Sequence, residues 1–218
     1  MRIRAPTTSK KRLLNSLYFF LALIPSVILH EVSHGYVANY FGDPTAKERG
    51  RLTLNPLAHI DPFGTIILPL ILVFTGLPFF AYAKPVPVNI SRLRNPRSQS
   101  LYVSLAGPMV NIVLSAFGWV LCEIAIHFTQ SQLMFNIGEA LGLVNLMLAV
   151  FNLLPIPPLD GSAIIERFVP RSKLGSYYQF RARALPIVMV VVILGTFVFH
   201  FGNNALYDVE NWWLHLLF

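Results

Sequence analysis

Largely apolar runs alternate along this chain with short polar and basic stretches, and five of the runs read as membrane segments: residues 13–38, 63–83, 98–122, 140–154 and 184–202. A helix rises about 1.5 Å per residue, so roughly 20 apolar residues cross the hydrocarbon layer. The pattern predicts an all-α, polytopic membrane helical bundle forming one domain over residues 1–218. Pro25 removes a backbone hydrogen bond from the first segment and predicts a kink or a locally opened turn. Gly64, Pro69, Gly76 and Pro78 leave the second either spanning or re-entrant. Gly42-Asp43-Pro44 ends the first helix, Asn55-Pro56 marks a turn, and Glu123 and Glu139 bracket another. Pro85-Val86-Pro87-Val88 is extended, as an edge for an extended substrate or as a rigid connector. Residues 162–183 read as amphipathic and basic, His200 as interfacial, and Trp212 and Trp213 as interface anchors.

Composition supports the membrane reading: 55% of the 218 residues are hydrophobic and 12% charged, with a mean hydropathy of +0.58. A basic start followed by an apolar run also suits a signal peptide, but no small-x-small cleavage pattern precedes His30, so the first run reads as a retained helix. The net charge of +7 sits in short loops beside apolar segments, which points to lipid headgroups and topology rather than to nucleic acid. A single cysteine, Cys122, excludes an internal disulfide and reads as a small apolar residue. The sequence holds no P-loop, dinucleotide fingerprint or Ser-His-Asp arrangement.

One ionisable cluster lies at membrane depth. His30-Glu31-Val32-Ser33-His34 puts two imidazoles one helical turn apart on one face, with Glu31 beside them to take a proton from water activated by a metal. Such a cluster is costly in lipid unless shielded and functional. A third ligand is available where Pro155, Pro157 and Pro158 end the fourth segment and Gly161 frees the backbone beside Asp160. Two nitrogens, one carboxylate oxygen and a position for water make the composition of a catalytic zinc site, and peptide hydrolysis follows from it. His59 and Asp61 either contact a metal or substrate, or lie at the interface and cap the next helix. Asn111, an amide in an apolar helix beyond Gly107, must find a partner, as glue or to orient a catalytic group. Asn145 and Asn152, seven residues apart, share roughly one face. A membrane metal transporter and a catalytically silent scaffold are the competing functions; the compact ligand set and Glu31 favour the protease.

These motifs resemble the site-2 protease family of intramembrane zinc metalloproteases, peptidase family M50. The likeness rests on His30-Glu31-Val32-Ser33-His34, on Gly107-Pro108-Met109-Val110-Asn111, and on the stretch from Asn152 through Pro155, Pro157 and Pro158 to Asp160-Gly161. It covers about residues 15–165, with an extra C-terminal membrane helix at about 184–202. The resemblance implies zinc on His30, His34 and Asp160, general-base work by Glu31, and a role for Asn152 in holding the substrate backbone. It also implies cleavage in or near transmembrane segments of other membrane proteins. Many members carry a PDZ or CBS domain; this chain has room for neither and reads as a minimal form. A prokaryotic cell membrane is the expected location.

Topology imposes a condition on this reading. Five full spans would bring the ends of the first and fourth segments to opposite faces, whereas one metal requires its ligands at a common depth. The second segment is therefore expected to be broken or re-entrant, with the first and fourth running in the same direction and the site near the cytoplasmic face. The cost is an external N-terminus bearing five basic residues.

Overall fold

The computed structural model describes residues 8–67, 71, 83–181, 183, 184, 187, 212, 213 and 215. Among these the chain is helical, without a strand. The principal helices are α1 (Thr8–Tyr40), α2 (Thr45–Glu48), α3 (Pro96–Ile124), α4 (Gln132–Leu153) and α5 (Ser162–Glu166). Three stretches, Leu17–Tyr40, Pro96–Thr129 and Gln132–Leu153, are long and apolar enough to cross a membrane, and this is a membrane protein. Most of the expected second and fifth segments, His200 included, lies outside the described residues.

Helix α1 continues through Pro25, where the Ser26 hydroxyl donates to the Ala22 carbonyl at 2.7 Å. Helix α3 opens on Pro96 in its first turn, where a missing N–H is harmless. It runs into a π-helical turn, Ala125–Thr129, and the chain reverses at Gln130, whose φ of 51° is left-handed. Ser131 then caps α4, its hydroxyl accepting from the Met134 N–H at 3.3 Å. The fourth helix thus begins eight residues before position 140, and Glu139 lies within it rather than bracketing a turn. The Ser131 cap, not the charge, sets the boundary.

Glycines bring α3 and α4 together. A Cβ on Gly118 would stand 2.6 Å from the Gly138 carbonyl oxygen and 2.7 Å from the Gly142 Cα, so the backbones touch as small-residue interfaces in membranes allow. Cys122 packs in this seam, as a small apolar residue would, together with Trp213. Trp213 is 2% exposed and is therefore a core residue, whereas Trp212 is 58% exposed. Gly142 provides the room, because a Cβ there would meet the Trp213 ring.

Contacts fix the relative directions. Ser115 bonds the Gly142 carbonyl and Asn111 bonds Asn145, so α3 and α4 are antiparallel. Ser26 meets Asn145, while His30 and His34 meet Asp160 beyond the end of α4. Helices α1 and α4 are therefore parallel, as a common depth for the ligands demands. The connection between α1 and α3 leaves and rejoins one end of the bundle: the Arg94 N–H donates to the Phe41 carbonyl at 3.1 Å, and buried Asp43 accepts from the Asn89 N–H at 2.5 Å and from Thr45. Its path through residues 68–70 and 72–82 lies outside the described residues.

After Asp160 the chain folds back onto the start of α3. Glu166, 1% exposed, accepts from the Ser100 hydroxyl at 3.0 Å and the Tyr178 hydroxyl at 2.7 Å, with Arg181 at 3.8 Å. Burial and this carboxylate push the Tyr178 hydroxyl well above the ordinary phenol range, which keeps it a donor. Reciprocal bonds between Arg97 and the 167–169 backbone, and between Arg167 and the Arg97 carbonyl, close the knot. The basic stretch over 162–183 comprises α5, a 3-10 turn at Arg171–Lys173 and a helix from 174.

Candidate metal centre

His30 and His34, four residues apart on α1, turn their imidazoles into the seam with α3. Asp160 arrives from the turn after α4, held by the Gly161 N–H, which donates to the Asn152 carbonyl at 2.7 Å. Asp160 Oδ2 is 3.1 Å from His30 Nε2 and 3.4 Å from His34 Nε2. The three ligand atoms lie within 4.8 Å of one another. Atoms each about 2.0–2.1 Å from one tetrahedral ion stand about 3.3 Å apart, so this donor set fits a metal. Both histidines are buried. Burial alone would raise the Asp160 carboxyl; hydrogen bonds and charge from the two imidazoles outweigh it and hold it well below the usual carboxylate range, as an anion.

Each imidazole is oriented from behind. Asn111 donates its amide N–H to Asn145 Oδ1 at 2.7 Å, so its own Oδ1, 2.5 Å from His30 Nδ1, is an acceptor and Nδ1 carries the proton. Asn145 donates in turn to the Ser26 hydroxyl and the Leu141 carbonyl, both at 2.8 Å, and Ser26 donates to Ala22. Asn111, Asn145 and Ser26 are all buried, and every donor along the relay has an acceptor. His34 Nδ1 donates to the Val103 carbonyl at 2.7 Å. With both Nδ1 atoms engaged as donors, both Nε2 atoms are directed at Asp160, and loss of their protons frees the lone pairs a metal ligand needs. Gly107 completes the cradle: a Cβ there would stand 2.5 Å from His30 Cε1 and His34 Nε2.

Glu31 is half-buried, and its Oε2 accepts from the Val86 N–H at 2.9 Å. Val86 belongs to the extended Pro85–Val88 stretch, which packs across Gly35 one turn further along α1. Arg51 donates to the carbonyls of Lys84 and Pro85, and the Lys84 N–H to the His59 carbonyl. That stretch thus does more than connect, since it holds the candidate base. Asp61 caps the Pro62–Ile67 turn, accepting from the N–H groups of Phe63 and Gly64. His59 is buried rather than interfacial, with Nε2 donating to the Thr53 carbonyl at 2.8 Å; neither residue joins the ligand group. The Asn152 side-chain amide donates to Leu148 in its own helix at 2.9 Å.

Sequence reasoning missed Ser26, Val103 and Val86 as parts of the site. Ser26 had a legible signal, because it lies one turn before His30 on the same face. The other two act through backbone groups, which no side-chain pattern reveals.

The sequence profile of Peptidase family M50 matches residues 18–135 and 122–196. The chain belongs to that family. YwhC of Bacillus subtilis (strain 168) is 40% identical over 201 residues, covering 89% of this chain and 86% of the relative. Rip2 of Mycobacterium tuberculosis (strain H37Rv) is 34% identical over 191 residues, 86% of this chain and 69% of the relative. Zinc metalloprotease MJ0392 of Methanocaldococcus jannaschii is 26% identical over 160 residues, 72% of this chain and 37% of the relative. YwhC and Rip2 are named zinc metalloproteases provisionally, MJ0392 outright. No solved structure gives a significant match. Membership in M50 makes the chain a metalloprotease.

Proposed function

We propose that this M50 metalloprotease is a zinc-dependent intramembrane endopeptidase of a prokaryotic cell membrane, cutting peptide bonds in or near transmembrane segments of other membrane proteins. The observation that carries the reading is the convergence of His30, His34 and Asp160 inside a bundle of membrane-length helices, with Glu31 on the turn between the histidines. His30, His34 and Asp160 would hold the ion. Zinc there would supply a Lewis acid for a peptide carbonyl and lower the proton affinity of water. Glu31 takes the proton from the attacking water and passes it to the leaving amine, while Val86 holds one of its oxygens. The Asn111–Asn145–Ser26 relay and Val103 keep the imidazoles aligned. Asn152, at the end of α4 beside the Asp160 turn, binds the substrate backbone. The active site lies near the cytoplasmic face, the side of the basic stretches around residues 92–97 and 167–183.

The deciding experiment measures bound zinc and cleavage of a panel of tagged transmembrane substrates for the purified parent and for Glu31→Gln. Both proteins retain one zinc, and only the parent cleaves; the variant loses roughly 10²–10⁴ in rate, the usual contribution of a general base. Stoichiometric zinc without cleavage by either protein would restore the transporter and scaffold readings, and folded parent without zinc would overturn the site.

A further inference from the structure

A groove of about 480 Å³ runs along the outside of the bundle between the last turns of α1 and the first half of α3. Its apolar walls include Val37, Phe41, Leu105 and Met109. Tyr36, Tyr40 and Tyr102 also line it, each more than half exposed. Ala106 lines the groove while its neighbour Gly107 faces the imidazoles, so the groove occupies a different face of α3 from the metal centre. Tyr40 closes the first span and Tyr102 lies near the start of the second, which puts the tyrosines at headgroup level, where such rings concentrate. Deeper along α3, Met109, Val113 and Phe117 are exposed on the membrane-spanning surface, continuing toward the acyl chains.

Arg94 stands at the headgroup end. Its N–H is bonded to the carbonyl of groove residue Phe41. Its stem lies across the end of α1, with Cγ 3.3 Å and Nε 3.6 Å from the place of a Cβ on Gly42. Gly42, at φ +107°, accommodates the turn beneath it. Neighbouring guanidinium groups are engaged: Arg92 by Glu48 at 2.8 Å, Arg97 by the carbonyls of Arg167 and Val169, and Arg51 by those of Lys84 and Pro85. The exposed Arg94 guanidinium has no hydrogen-bond or ion-pair partner among the described residues.

We propose that this groove binds one anionic phospholipid, an acyl chain lying between α1 and α3 and the phosphate resting on Arg94. A guanidinium free to take two phosphate oxygens, at the headgroup end of an apolar slot, matches a charged headgroup joined to a chain. A neutral zwitterionic lipid fills the slot equally well but gains less from the cation.

The test is native mass spectrometry of the full-length, delipidated protein titrated with phosphatidylglycerol or phosphatidylcholine of identical chains. One phosphatidylglycerol binds about fivefold more tightly than phosphatidylcholine, the advantage of one basic residue near an anionic headgroup. Arg94→Gln removes that preference, Arg92→Gln keeps it, and Ala106→Trp, which fills the slot, weakens both lipids. Equal affinities in the parent, a preference that survives Arg94→Gln, or displacement of the lipid by equimolar glycerol phosphate would each overturn the site.

Discussion

Asn111 is worth more to the site than its distance from the chemistry suggests. It accepts from His30 and donates to Asn145, so truncation leaves two buried polar groups without partners, and the imidazole free to turn. Asn111→Ala is expected to weaken zinc binding about 10–100-fold, the usual cost of losing a group that orients a metal-bound histidine. Competition with a calibrated chelator measures it, and unaltered affinity would remove Asn111 from the site. The convergence of His30, His34 and Asp160 was legible in the sequence because its signals are local. Two histidines at helical spacing announce a shared face, and a proline-broken helix end followed by Asp160-Gly161 points to a third donor. The relay was only half legible: an amide in an apolar helix must find a partner, but which partner is decided by the register of three helices.

Elements rather than residues determine how Glu31 is held. The Pro85–Val88 stretch offers it one N–H, from Val86, flanked by two prolines that have none. Val86→Pro is expected to lower kcat about tenfold or more with a smaller change in KM, the loss of one hydrogen bond to a charged group. Steady-state kinetics on a fixed substrate separates this from a KM effect, which would instead point to a substrate contact. Packing of α3 on α4 rests on the glycine contact. Gly118→Ala pushes a methyl into the Gly138–Gly142 backbone and should cost about 1–3 kcal/mol, as overpacking does. A fall in Tm of the detergent-solubilised protein reports it. The start of α4 was misread from sequence because Glu139 resembled a boundary. A helix inside a bundle tolerates one acid in its early turns, and the Ser131 cap outweighs it.

For the whole molecule, the parallel course of α1 and α4 brings donor groups more than 120 residues apart to one depth. Charge bias along the loops favoured the opposite arrangement; the distance requirement of a metal is the stricter constraint. With Asp43 tied to Asn89 and Phe41 to Arg94, both ends of the connection lie on one side. Single cysteines replacing Lys47 and Ser91 should therefore react with a membrane-impermeant maleimide from the same face, buried Cys122 staying silent. Labelling from opposite faces would break the arrangement. Trp213, read as an anchor from its position among apolar tail residues, proved to be core because two glycine-bearing helices left a ring-sized gap.

The directional relay has a consequence for biosynthesis. As the chain emerges from the ribosome, α1 enters the membrane with both histidines already made, yet the groups that aim them reside on α3 and α4, and Asp160 comes later still. A nascent or truncated protein therefore carries the hydrolytic motif without the means to use it. Completion of the candidate site thus waits on the turn that follows α4.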